Sequence, residues 1–218
     1  MADHICVFAA GDIEPIGHER LRRATEHTDF AIAADGGLAH AVALGVRVDL
    51  VVGDLDSVDM AQLAAAEATG TVVERHPVAK DETDLELALE RAAGRHPAEL
   101  TLVGLLGGRI DHELANLSLV AQRRWFDAGL RIVADDGLKR IHVVHDAVEL
   151  REPAGTTISV LPWLGTATGV TERGMRWDLT GATLEAGTSQ GMSNVAELEV
   201  QHITVEHGVL LVIVDRSA

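Results

Sequence analysis

Apolar residues in the first 140 positions fall into two alternating kinds of run. Short continuous runs of strand length are Ile5–Ala9, Phe30–Ala34, Leu50–Val52, Thr71–Glu74, Glu99–Val103 and Leu130–Ala134. Between them lie segments that suit helices. Gly17–His27 is polar and helix-compatible, Leu38–Leu44 ends at Gly45, and the Ala-rich Met60–Ala68 stops at Gly70. Leu85, Ala88, Leu89 and Ala92 recur at i, i+3, i+4 and i+7, the stripe of a helix packed on a sheet. Leu114, Leu117, Ala121 and Trp125 keep helical spacing as far as Gly129. Strands alternating with crossover helices predict an α/β domain over residues 1–140, its mainly parallel sheet covered by helices on both faces.

The pattern changes after Asp135-Asp136-Gly137, a turn signal, and no convincing helical stripe follows it. Thr156–Trp163, Met175–Leu179, Ala182–Leu184, Ala196–Gln201 and Val209–Val214 read as short strands between Gly-, Thr- and Ser-rich turns. His207-Gly208 stands where a hairpin turn belongs, between Ile203–Val205 and Val209–Val214. This predicts a small antiparallel β-sandwich domain over residues 141–218.

Composition narrows the partners. Eighteen basic against 34 acidic residues give a net charge of −16, which repels a polyanion and argues against nucleic acid. A small cation or a metal-neutralised nucleotide is compatible with that surface. No apolar run approaches the ~20 residues of a membrane span, and Met1-Ala2-Asp3-His4 lacks the basic stretch of a secretory signal. The single cysteine, Cys6, excludes an intrachain disulfide and reads as a buried strand residue. A cytoplasmic protein is expected.

Ligands of open parallel sheets bind at the carboxyl ends of the strands, and those ends are acidic here. Asp35 closes one strand, Asp54 and Asp56 the next, and Asp81 and Asp84 follow a third. In extended backbone Asp54 and Asp56 would project to one side, where two carboxylates call for a cation such as Mg²⁺. The alternative is a solvated turn in which Asp56 or Ser57 caps the Met60–Ala68 helix. Thr83 and Glu86 make a capping box with Asp84 at the helix N-terminus, which leaves Lys80 beside an anion-binding helix end. Gly104–His112 is a glycine-rich loop whose N–H groups and Arg109 suit phosphates, or else a tight turn with Asp111 as N-cap. It lacks the Lys-Ser/Thr ending of a P-loop and the spacing of a dinucleotide fingerprint.

The ordered set Asp35-Gly36-Gly37, Gly53-Asp54-Leu55-Asp56-Ser57, Lys80-Asp81-Glu82-Thr83-Asp84 and Gly107-Gly108-Arg109-Ile110-Asp111-His112 resembles the thiamine pyrophosphokinase family. The likeness extends to Gly174-Met175-Arg176-Trp177-Asp178-Leu179 and Gly191-Met192-Ser193-Asn194. It implies a homodimer with shared active sites that turns ATP and thiamine into AMP and thiamine diphosphate. By motif match, Asp54, Asp56 and Asp84 would ligate Mg²⁺, with Asp35 close by. Lys80, Thr83, Arg109 and Asp111 would hold and orient ATP, though some members carry Gln where this chain has Lys80. Trp177, Ser193 and Asn194 would meet thiamine. An indole suits that aromatic cation, and a sandwich-core Trp177 and a Gly-Ser-Asn turn are the structural alternatives. Three other activities remain open at this point: a pyrophosphokinase for another heterocyclic alcohol such as a hydroxymethylpterin, an aspartyl-phosphate phosphatase, and a non-catalytic nucleotide-binding module.

Overall fold

The apolar runs become strands because nearly every position in them can be buried from both sides. In the computed structural model, which describes residues 4–217, β1 (His4–Phe8), β2 (Phe30–Ala34) and β5 (Glu99–Val103) are buried at all but their first residue. The helices α1 (His18–Thr25), α2 (Leu38–Leu44) and α3 (Met60–Ala68) precede α4 (Asp84–Ala93), α5 (Ile110–Val120) and α6 (Arg123–Asp127). The reading of Met1–Asp3 lies outside the described residues. No described helix is long and apolar enough to cross a membrane.

The chain divides into two compact units. The first comprises the described residues up to Leu119 together with Asp127–Gly137. Its strands, with β3 at Leu50–Gly53, β4 at Val72–Arg75 and β6 at Ile132–Asp135, pair in parallel in the order β4-β3-β2-β1-β5-β6. One face packs Cys6, Phe8, Ala31, Ala33, Val51 and Val103 against Leu21 of α1, Leu38, Ala41 and Leu44 of α2, and Leu63 of α3. The alternate residues, Ile5, Val7, Ile32 and Val52, are equally buried, and α4 lies against β1, β2 and β3. The strand order reverses between β1 and β5, which is the place where such sheets open a crevice. Arg91 of α4 forms a two-pronged ion pair with Glu74 of β4, which ties the helix to the sheet edge.

The second unit comprises Val120–Phe126 and the chain from Leu138 onward. Trp125 and its neighbours, expected with the α/β domain, therefore belong to the β-rich part, where Phe126 tilts against His145 at 5.2 Å. This unit is antiparallel, as expected, but its strands differ in detail from the sequence reading. Two strands absent from that reading open it: β7 (Lys139–Val144), which pairs with the last strand of the unit, and β8 (Ala147–Leu150), which pairs elsewhere in the sheet. The predicted Thr156–Trp163 is the first half of a 17-residue strand, β9 (Thr157–Arg173), which bends through left-handed backbone at Leu164 and Gly165.

Beyond the bend β9 pairs with β10 (Leu179–Leu184) and β12 (Gln201–Thr204), and before it with β11 (Asn194–Val195). Met175–Asp178 is loop rather than strand apart from the bridge of Met175 to Ala196, because Gly174 turns there. Ala196–Val200 is loop apart from a single bridge at Ala196. The expected hairpin at His207-Gly208 does not form: β13 (His207–Asp215) pairs with β7 and β9, whereas β12 pairs with β8 and β9.

Inside this unit Glu172 is fully buried on β9. Burial pushes its carboxyl up to about 7 against a hydrogen bond from Asn194, and Asp178 adds to the rise. The folded state then holds a proton that the unfolded chain releases from its ordinary value of 4.5. Stability is therefore full below 4.5 and is lost as pH rises to the folded value. At ~1.4 kcal/mol per unit, Glu172→Gln should gain about 3 kcal/mol over the parent between those two pH values and no more above them. Urea unfolding of both proteins across that range checks this, and a pH-independent difference would contradict it.

Candidate active site

Three carboxylates converge at the carboxyl ends of the parallel strands. Asp35 leaves β2 with a left-handed φ of 47°, opening a short 3₁₀ turn that carries the chain into α2. Asp54 follows β3, and Asp84 is the first residue of α4. Ligand oxygens from Asp35, Asp54 and Asp84 all lie within 4.8 Å of one another. Gly53 makes the approach possible. A Cβ at that position would lie 3.0 Å from Asp84 Cγ and 3.1 Å from Asp35 Cβ, on backbone at φ 150°.

The neighbours offset only part of this charge. Lys80 Nζ lies 3.0 Å from Asp84 Oδ1 and 3.7 Å from Asp54 Oδ2, with its side chain only 11% exposed. Burial works against the Lys80 charge, but Asp84 and then Asp54 outweigh it and hold the ammonium above its ordinary pKa. Ser57 donates its hydroxyl to Asp35 Oδ2. Asp35 Oδ1 is buried with no hydrogen-bond partner, and such an oxygen costs free energy unless something satisfies it. Three hard oxygen donors against one ammonium are a donor set for a divalent cation such as Mg²⁺.

The reason expected for pairing Asp54 with Asp56 does not hold. Leu55 sits at a left-handed φ of 66° with its side chain buried, so the segment is a turn and not extended strand. Asp56 is exposed and lies outside the trio; its backbone N–H donates to Asp54 Oδ1 at 3.1 Å. The negative field of Asp54, then of Asp35, holds its carboxyl above the usual range. Neither Asp56 nor Ser57 caps α3: Asp59 does, accepting from the N–H groups of Ala61 and Gln62. That frees Ser57 for Asp35, a pairing across 22 residues that sequence spacing does not reveal.

Thr83 is the N-cap of α4, its hydroxyl accepting from Glu86 N at 3.2 Å, as the capping box predicted. Its oxygen is thereby engaged in holding the helix that presents Asp84. Arg109 and Asp111 pair with each other at 2.6 Å on the exposed rim of the glycine loop. Asp111 is not the N-cap, because α5 already begins at Ile110.

The loop itself is held from below. Gly107 N donates to Glu113 Oε1 at 2.9 Å, and Asn116 Nδ2 donates to the Leu105 carbonyl at 3.2 Å. It packs backbone to backbone on the loop after β1, with Gly11 N donating to the Gly104 carbonyl at 2.8 Å. A Cβ on Gly104 would lie 2.3 Å from the Ala9 carbonyl oxygen. His40 Nε2 donates to the Gly11 carbonyl at 2.7 Å. His40, Glu113 and Asn116 went unnoticed in sequence because their partners are backbone atoms.

In the second unit Trp177 is not a core residue: its side chain is 59% exposed. Arg176 lies over the indole at 5.6 Å and is itself paired with Glu197. Ser193 is exposed, at a left-handed φ of 56°, and its N–H donates to Ser159 Oγ at 3.0 Å. Asn194 is buried, its amide committed to Trp177, Val195 and Glu172, so it orients the Trp177 loop and does not present free groups to a ligand.

Two family models match the chain in order. The thiamin pyrophosphokinase catalytic domain covers residues 21–124, and the thiamin pyrophosphokinase vitamin B1 binding domain covers residues 140–210. Thiamine pyrophosphokinase 2 of Arabidopsis thaliana is 26% identical over 212 residues, spanning 83% of this chain and 75% of its own. The thiamine pyrophosphokinase of Bacillus subtilis is 24% identical over 169 residues and 78% of each chain. The crystal structure of the Bacillus subtilis enzyme superposes with a TM-score of 0.83 at 23% identity, over 99% of this chain and 100% of that one. A thiamin pyrophosphokinase family protein of Enterococcus faecalis gives 0.79 at 27% identity, over the full length of both. With the catalytic and vitamin-binding halves of one family matched in succession, the chain belongs to the thiamine pyrophosphokinase family.

Proposed function

We propose that this protein transfers the pyrophosphoryl group of ATP to the hydroxyl of thiamine, giving thiamine diphosphate and AMP. The observation that carries the reading is the trio Asp35, Asp54 and Asp84 at the strand ends, with Asp35 Oδ1 buried and unpartnered. The match of residues 140–210 to a vitamin B1 binding domain favours thiamine over a hydroxymethylpterin, and relatives that are enzymes disfavour a non-catalytic module. A phosphatase reading needs a reactive aspartate facing substrate, and Asp54 is instead crowded by Asp35, Asp84 and Lys80.

Asp35, Asp54 and Asp84 would hold Mg²⁺, with Asp56 reaching the site from outside. The ion would neutralise charge on the phosphates of ATP. Lys80, released in part from the carboxylates as the metal takes over their charge, would turn to the phosphates as a point charge. The N–H groups of the glycine loop and Arg109, freed from Asp111, would fix the triphosphate. In the second unit the exposed Trp177 face would hold the thiamine rings, with Ser193 beside it. The thiamine oxygen then bonds to the β-phosphorus, the bridge oxygen to the α-phosphorus leaves with AMP, and the hydroxyl proton passes to solvent. The homodimer with shared sites belongs to the same proposal; sedimentation as a monomer at working concentrations would remove it.

Two outcomes test this reading. Asp54→Asn should abolish turnover yet melt higher than the parent in EDTA, because it relieves repulsion in the trio. Mg²⁺ should raise the parent's melting temperature and leave the variant's unchanged; near-normal turnover by the variant would contradict the assignment. Phosphorus NMR of the products should show AMP with both transferred phosphates on thiamine, whereas ADP with thiamine monophosphate would exclude pyrophosphoryl transfer.

A further inference from the structure

The exposed indole of Trp177 has no packed socket to set its direction, so its main chain must do so. Among the described residues, the Asn194 side chain holds the Trp177 main chain at both its N–H and its carbonyl. Trp177 N donates to Asn194 Oδ1 at 3.2 Å, and Asn194 Nδ2 donates back to the Trp177 carbonyl at 2.9 Å. Asn194 Oδ1 also accepts from Val195 N at 2.9 Å, and the second Nδ2 hydrogen goes to Glu172 Oε2 at 3.0 Å. All four hydrogen bonds available to a primary amide are thus engaged.

Which way round the amide sits is decided by what it faces. A flipped amide would set its oxygen against the Trp177 carbonyl and the Glu172 carboxyl, and its hydrogens against two N–H donors. Glu172 is the side chain that adds to the main-chain groups in holding the observed sense. It lies fully buried on β9 between Leu179 of β10 and Ile203 of β12. Its Oε1 has no hydrogen-bond partner, so a carboxyl that is costly to bury makes a single hydrogen bond there, to Asn194. For the fold alone, an apolar residue would serve this position better.

We propose that Glu172 is a positioning residue for thiamine: it locks the Asn194 amide in the orientation that clamps the Trp177 main chain and so aims the exposed indole. This rests on the reading that Trp177 meets thiamine. Loss of the acceptor in Glu172→Leu leaves a buried amide hydrogen unpaired and the clamp held by its three main-chain hydrogen bonds alone, which loosens it. Glu172→Gln can present its carbonyl oxygen to Asn194 and keep the clamp.

Full-length protein labelled with 5-fluorotryptophan tests both parts. The chain has three tryptophans, and the Trp177 fluorine signal is identified by its loss in Trp177→Ala. In Glu172→Leu that signal should shift or broaden without any substrate present. The KM for thiamine should rise roughly tenfold while the KM for ATP stays within about twofold. Glu172→Gln should restore both readouts. If Glu172→Leu does not fold, Asn194→Asp, which sets a carboxylate against Glu172, must give the same split and be relieved by adding Glu172→Gln. An unmoved Trp177 signal with an unchanged thiamine KM, or equal rises in both KM values, overturns the proposal. A normal thiamine KM in Trp177→Ala would instead remove the reading that the indole meets thiamine, and the fluorine signal would still report whether Glu172 holds the loop.

Discussion

Like-charge crowding governs the catalytic unit. At separations within 4.8 Å, each pair among Asp35, Asp54 and Asp84 repels by roughly 3 kcal/mol at an effective dielectric of about 20. Folding brings them together anyway, because each leaves a strand or begins a helix whose packing is settled elsewhere. Asp35 is carried by β2, Asp54 by β3, and Asp84 by α4, itself tied to β4 through Arg91 and Glu74. Lys80 relieves part of the repulsion, and Ser57 takes up one oxygen of Asp35. What is left over is a negative site with one buried oxygen still unmatched. A divalent cation is the partner proposed for it.

Close backbone packing supports the same end of the sheet. The loops after β1 and β5 meet where the strand order reverses, and their contact tolerates no side chain at Gly104. That geometry holds a glycine-rich stretch without a P-loop ending against the loop after β1. The second unit meets a comparable demand differently. It leaves an indole exposed and spends a buried carboxyl and a buried amide on holding the chain beneath it.

Much of this was legible in the residues. Continuous apolar runs marked the parallel strands, since burial on both faces leaves no room for polar alternation. The Thr83 cap was a local signal, and its hydroxyl accepts from Glu86 N as read. Other errors came from backbone that breaks periodicity. Left-handed Leu55 makes the Asp54–Asp56 segment a turn instead of extended strand, and left-handed Leu164 lets one long strand pass for a short one. Strands β7 and β8 escaped because they are short and mixed in polarity. Partners far apart in the chain, Ser57 with Asp35 and Glu172 with Asn194, leave no trace in spacing at all. Asp35 was expected near the metal and Asp56 on it; the fold puts Asp35 in the trio and Asp56 on its rim.

Mn²⁺ binding followed by electron paramagnetic resonance tests this placement of Asp35 and Asp56 directly. Without nucleotide, Asp35→Asn should lose the tight Mn²⁺ site of the parent, while Asp56→Asn should keep it with little change in affinity. Loss of the site in Asp56→Asn with retention in Asp35→Asn would contradict the assignment of the trio as the metal centre.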